Sequence, residues 1–164
     1  MDKLQEATER AIGDDFIAWR NRLHGTHYQF AGRPDRAPDL AYRDADETLE
    51  IEVAMGYHDE ADAAFEWLRA RGHPMARVAW TSENPTGNLI LHINSVLADK
   101  CLKAYGPRCI LVVSVIPLVT EAERLELRLG EIVVPPRVPF TGIYLTTTSG
   151  SSGGFRCWQL SAGA

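Results

Sequence analysis

The sequence predicts a single α/β domain: a sandwich with a central mixed sheet flanked by helices and closed by a C-terminal hairpin. Three features carry that prediction. A helix-period stretch opens the chain at 2–23, two strand-like segments at 40–43 and 48–55 flank a short turn, and 109–116 is uniformly aliphatic. Only a strand covered on both faces explains the third.

Along the chain, Leu4, Ala11, Ile12, Phe16, Trp19 and Leu23 fall roughly on one helical face, with Asp2 as N-cap and Gly25 past the end. Residues 27–31 read as a short strand, ended by the GRPDRAP turn. The hairpin follows. Residues 59–71 begin acidic, end with Arg69 and Arg71, and precede Gly72 and Pro74, as suits a helix aligned with its dipole. A small strand at 76–80 and a second amphipathic helix over 88–105 lead to Gly106-Pro107 and the buried strand. Thr120-x-x-Glu123 resembles a capping box and predicts a helix to 129, although Leu125, Leu127 and Leu129 also alternate as in a strand. Residues 142–148 and 155–160, joined by SGSSGG, form the terminal hairpin. That glycine-serine loop reads as a turn rather than a phosphate cradle.

At 164 residues and 45% hydrophobic, the chain supports one domain, 1–164, with a core of its own. Its 17 basic and 22 acidic residues leave a net charge of -5, so the chain as a whole does not attract a polyanion or an anionic membrane. A nucleic-acid partner would have to meet a local basic surface, for which Arg20, Arg22, Arg33, Arg36 and Arg43 are candidates; solvation of a surface is the plainer reading of them. Cys101, Cys109 and Cys157 are odd in number and lie in or beside apolar segments, which predicts a reducing compartment and a core role. The N-terminus is too charged for a signal peptide and no run is long enough to span a bilayer, so the expectation is a soluble, cytoplasmic protein without a membrane partner.

The hairpin raises the chemical question. With the turn centred between Ala45 and Asp46, Asp44 faces Glu47 and Asp39 faces Glu52. Cβ atoms of directly opposed residues lie about 4.5–5.5 Å apart on one face, so two carboxylates meet, and Glu50 joins them by the period of two. Such repulsion needs a positive partner, and Mg²⁺, held by one or two carboxylates, waters and a substrate phosphate, has the matching ligand chemistry. Asp35, also preceded by proline, would fall outside the strand. The plain alternative is an amphipathic strand with Leu49, Ile51 and Val53 inward and the glutamates in water.

Lys100 is the second anomaly. Leu89, Ile93, Val96, Leu97 and Ala104 define the apolar stripe of their helix; Lys100 projects near its middle and Lys103 toward its edge. A buried ammonium requires a paired carboxylate, unless Lys100 snorkels to solvent along its methylenes.

Pro38-Asp39 followed by Leu49-Glu50-Ile51-Glu52-Val53 resembles the signature of the PD-(D/E)XK nucleases, the restriction endonuclease-like superfamily, and specifically its bacterial members. The likeness extends over about 3–148 as element order, with identity confined to a few positions. It implies a restriction endonuclease-like sandwich in which aspartate and glutamate bind Mg²⁺ (or Mn²⁺). A lysine two residues after the glutamate then orients the attacking water or stabilises charge. Glu52 is similar in position to the motif glutamate, which makes Ala54 the lysine position, a departure; taking Glu50 instead puts Glu52 there, an acidic substitution seen among relatives. Some members carry the lysine on a neighbouring helix, and Lys100, or else Lys103, is the counterpart. KCLKAYG followed by CILVVSV also resembles the stretch after the motif in bacterial relatives. The resemblance further admits Glu6 or Glu9 of the first helix as a ligand, against the plainer reading of solvated-face acids.

The expected function is metal-dependent phosphodiester hydrolysis of nucleic acid, DNA first, with Asp39, Glu52 and Lys100 catalytic and Asp39, Glu50 and Glu52 as metal ligands. A homodimer is compatible with it. The alternative is an inactive nuclease-like domain that binds protein or nucleic acid. His24, His27, His58, His73 and His92 show no HxxxH or HxH spacing for zinc. Ser114 lacks a nucleophile elbow and Cys109 reads as core. Tyr57 and Trp80 are candidates for base stacking, or for ordinary packing.

Overall fold

The computed structural model describes residues 3–56, 84–115, 121–149 and 153–162. The helix expected at 59–71, the strand at 76–80, Asp2, Tyr57, His58, His73, Trp80 and Thr120 lie outside them. Among the described residues, helix α1 (Lys3–His24) is followed by β1 (Gln29–Gly32), β2 (Leu40–Asp44) and β3 (Glu47–Gly56). Helix α2 (Pro85–Cys101), strand β4 (Cys109–Val115), helix α3 (Glu121–Leu127), a 3-10 turn (Leu129–Glu131), β5 (Gly142–Thr146) and β6 (Cys157–Ala162) complete the order.

The strands form one open mixed sheet in the order β1-β2-β3-β4-β5-β6. Neighbouring β1 and β2, β2 and β3, and β5 and β6 run antiparallel, whereas β3, β4 and β5 are parallel. Alternate residues of the central strands point to opposite layers. Ile51, Val53, Ile110 and Val112 pack with Ile12, Phe16 and Ile17 of α1, whereas Ala54, Leu111 and Val113 pack with Leu89, Ile93 and Leu97 of α2. Every residue of β4 is buried, which is why its sequence is aliphatic throughout rather than alternating.

Helix α1 buries Glu9, Ile12, Gly13, Phe16 and Ile17. Ala11 and Leu23, expected on that face, are exposed, Leu23 by 59%. Gly13 marks the close crossing of α1 over β2, since a Cβ there would run into Leu40 Cδ1 and come 2.6 Å from Tyr42 Oη. The Tyr42 hydroxyl donates to Asp14 Oδ1 at 2.8 Å. Substituting Gly13→Val is expected to lower stability by about 1–3 kcal/mol, the cost of overpacking, despite the better helix propensity of valine. A shift of the urea midpoint to lower concentration measures it.

Helix α2 starts three residues before the sequence expectation because Asn84 caps it, accepting from Gly87 N–H at 3.0 Å, and Pro85 occupies the first turn. It also ends earlier, so Ala104 and Tyr105 belong to the connection into β4, and Ala104 is exposed. Residues 125 and 127 are helical, which decides against the strand alternative. The terminal hairpin forms as expected, with Gly142 paired to Ala162 and Thr146 to Cys157. None of the described helices is long and apolar enough to cross a membrane.

Candidate functional site

The β2-β3 hairpin turns through Ala45, whose φ of 49° lies in the left-handed region, and Asp46. Its register is the expected one: Asp44 pairs with Glu47 and Leu40 with Ile51. One residue further along that register, Asp39 stands opposite Glu52, on the side of the sheet that faces α2. Beyond the last ladder pair, the Val53 N–H donates to Asp39 Oδ2 at 2.8 Å, so the carboxylate continues the hairpin where backbone pairing stops.

Glu52 is 5% exposed. The expectation of glutamates in water fails for it because this part of β3 has a helical layer on both faces, so the alternate positions have no wet side. Lys100, in the last turn of α2, places Nζ 2.5 Å from Glu52 Oε1. The Tyr105 hydroxyl donates to the same oxygen at 3.2 Å. Glu52 Oε2 is buried and, among the described residues, accepts no hydrogen bond. Lys100 is thus paired rather than snorkelling to solvent. Lys103 pairs with Asp99 on the exposed side of the connection and stays out of the site.

Glu50 lies one pleat away along β3, with Oε2 against Gly106, where a Cβ would come within 2.6 Å. It is therefore offset from Asp39 and Glu52, although on their face. On the other side of the hairpin, Glu9 is 8% exposed, a correction to the solvated-face reading of the helix acids. Its Oε2 accepts from Arg33 Nη1 at 2.9 Å and its Oε1 from Gln5 Nε2 at 2.9 Å. Arg33 Nη2 also donates to the Glu6 carbonyl at 2.7 Å, so one guanidinium ties α1 to the segment that delivers Asp39.

The cluster therefore holds the carboxylates of Glu9, Asp39 and Glu52 against the cations Arg33 and Lys100. Among the described residues Asp39 makes no ion pair. Burial first, then the charges of Glu52 and Glu9, push its carboxyl up to about 6, against the Val53 N–H and the Lys100 ammonium, which pull it down. Burial and the negative charge of Glu52 likewise raise the Tyr105 hydroxyl, which stays a neutral donor. The same combination of burial, Glu52 and Glu50 pushes the Cys109 thiol up to about 12, in keeping with a core role rather than a nucleophilic one.

The structure brings Asp39, Glu52 and Lys100 near one another, as the hairpin register and the helix stripe imply, whereas the contacts of Arg33, read from the sequence only as a surface cation, and of Tyr105 were not foreseen. Arg33 sits in a turn with no periodicity to read. Tyr105 carried a faint signal, as an aromatic residue in a polar connection beside the inward-facing lysine. Among the described residues, no group of three or more His, Cys, Asp or Glu is arranged to hold a metal ion. Comparison with protein-family models, curated proteins and solved structures finds no match for the chain.

Proposed function

We propose that the chain is a metal-dependent nuclease of the restriction endonuclease-like kind, hydrolysing phosphodiester bonds of nucleic acid, DNA first. The observation that carries the reading is the meeting of Asp39, Glu52 and Lys100 at the end of the β2-β3 hairpin, from three separate stretches of chain. The donor set fits Mg²⁺ or Mn²⁺. Two carboxylates suffice for such an ion when water and phosphate complete its shell, and Glu52 Oε2 is a buried acceptor without a hydrogen-bond donor among the described residues. Asp39 and Glu52 would hold the ion, which would supply Lewis-acid neutralisation of the charge that develops on the phosphate.

The residues themselves do the rest. Lys100 has three donors, of which one is engaged by Glu52 Oε1, and 20% of its side chain is exposed. It can hold a water molecule by hydrogen bonding beside the scissile phosphate and stabilise negative charge there. Arg33 and Glu9 keep the Asp39 segment against α1.

Wild-type protein is expected to cleave plasmid or oligonucleotide DNA with Mg²⁺ or Mn²⁺. Asp39→Ala, Glu52→Ala and Lys100→Ala should each fall to roughly a hundredth or less, with circular dichroism confirming that the variants fold. Undiminished cleavage by all three would refute the assignment. A second reading, a non-catalytic domain that binds protein or nucleic acid, is favoured by one observation: Lys100 and Arg33 already neutralise Glu52 and Glu9 inside the fold. It predicts a salt-sensitive gel shift with no cleavage.

A further inference from the structure

The Glu52 carboxylate is held asymmetrically, and the connection between α2 and β4 is responsible. Oε1 receives both the Lys100 ammonium and the Tyr105 hydroxyl, whereas Oε2 is buried without a donor among the described residues. A buried carboxylate with one saturated and one vacant oxygen has a fixed orientation, and the vacant oxygen is an acceptor waiting for a cation or a donor. Tyr105 is itself locked. Its ring packs on Phe140 with centroids 4.5 Å apart, and Gly106 after it lies tight against Glu50.

Lys100 alone would leave this orientation loose, because an ammonium on a flexible four-carbon stem follows a carboxylate through several rotamers. The phenol, with its ring packed on Phe140, is the more rigid donor, so its hydrogen bond to Oε1 specifies which oxygen is left vacant. We infer that Tyr105 is a positioning residue that presents Glu52 Oε2 to a divalent cation. The inference rests on the metal-dependent reading of the site and adds a role to a residue outside the three-residue signature. Partners of this type, one bond removed from the metal, set affinity through ligand orientation.

The test is Mn²⁺ binding by calorimetry to metal-free wild type, Glu52→Gln, Tyr105→Phe and Tyr105→Leu, with a thermal melt of each metal-free protein. Tyr105→Phe keeps the ring on Phe140 and deletes only the hydroxyl. Its Mn²⁺ affinity is expected to fall about 10- to 100-fold while the metal-free melting temperature stays near that of wild type. If Tyr105→Phe binds Mn²⁺ as wild type does and only Tyr105→Leu weakens it, the residue merely packs and the inference is overturned, with the metal site intact. If wild type and Glu52→Gln bind Mn²⁺ indistinguishably, the metal site itself is overturned and the inference falls with it.

Discussion

Replacing Lys100 by methionine is expected to lower the unfolding free energy by about 3–5 kcal/mol, among the largest effects of any single substitution in the chain. Methionine preserves most of the apolar stem that packs at the end of α2, so the loss is electrostatic. Among the described residues it leaves the Glu52 carboxylate, 5% exposed, with the Tyr105 hydroxyl as its remaining donor and no ion-pair partner. An ion pair so far from water gains little over an apolar pair, because desolvation offsets attraction, but breaking it from one side strands a charge. The double variant Lys100→Met with Glu52→Leu should therefore recover most of the loss. Urea melts of the two single and one double variants close the cycle. A single-variant loss below about 1 kcal/mol, the range of exposed pairs, would mean that Lys100 and Glu52 do not form a buried pair.

That pair also shows how the sequence could be read so far and no further. The hairpin register was legible because a tight turn and a period of two leave little freedom: once Ala45 and Asp46 are the turn, Leu40 must meet Ile51 and Asp39 must fall opposite Glu52. Lys100 was legible as an apolar-stripe violation, since Leu89, Ile93 and Leu97 do face the core. The strand Cys109–Val115 was legible from its unbroken aliphatic run. In each case one local period, followed consistently, determines the geometry.

What stayed hidden depends on contacts between segments far apart in the chain. Glu9 looks like any acid on a charged helix, and only the approach of Arg33, 24 residues later, accounts for its burial. Nothing in the spacing of α1 distinguishes Glu9 from Glu6. The burial of Glu52 likewise needed the knowledge that β3 lies inside the sheet with a layer on each side, which its own alternation denies. The boundaries of α2 were misread because capping outweighed periodicity: Asn84 with Pro85 starts the helix before its first apolar residue, and Leu102 ends it before Tyr105. That shift took Tyr105 off the helix and put its hydroxyl on Glu52.

Asp39→Asn is expected to do the opposite of Lys100→Met, stabilising the metal-free protein at pH 7–8 while abolishing the proposed cleavage. Burial and the charges of Glu52 and Glu9 raise the Asp39 carboxyl from 3.8 to about 6, so the folded chain binds this proton more tightly than the unfolded chain. Stability linked to the group is therefore fully present below about pH 4, falls between about 4 and 6, and stays at its lower value above. Asparagine carries no charge to desolvate, and its Oδ1 still accepts from the Val53 N–H. Allowing for water around a half-buried group, the gain at pH 7–8 is about 1 kcal/mol, shrinking toward zero near pH 4. Urea melts of both proteins at pH 4, 5.5 and 8 measure the divergence, and curves that stay parallel would show that Asp39 is not strained in the fold.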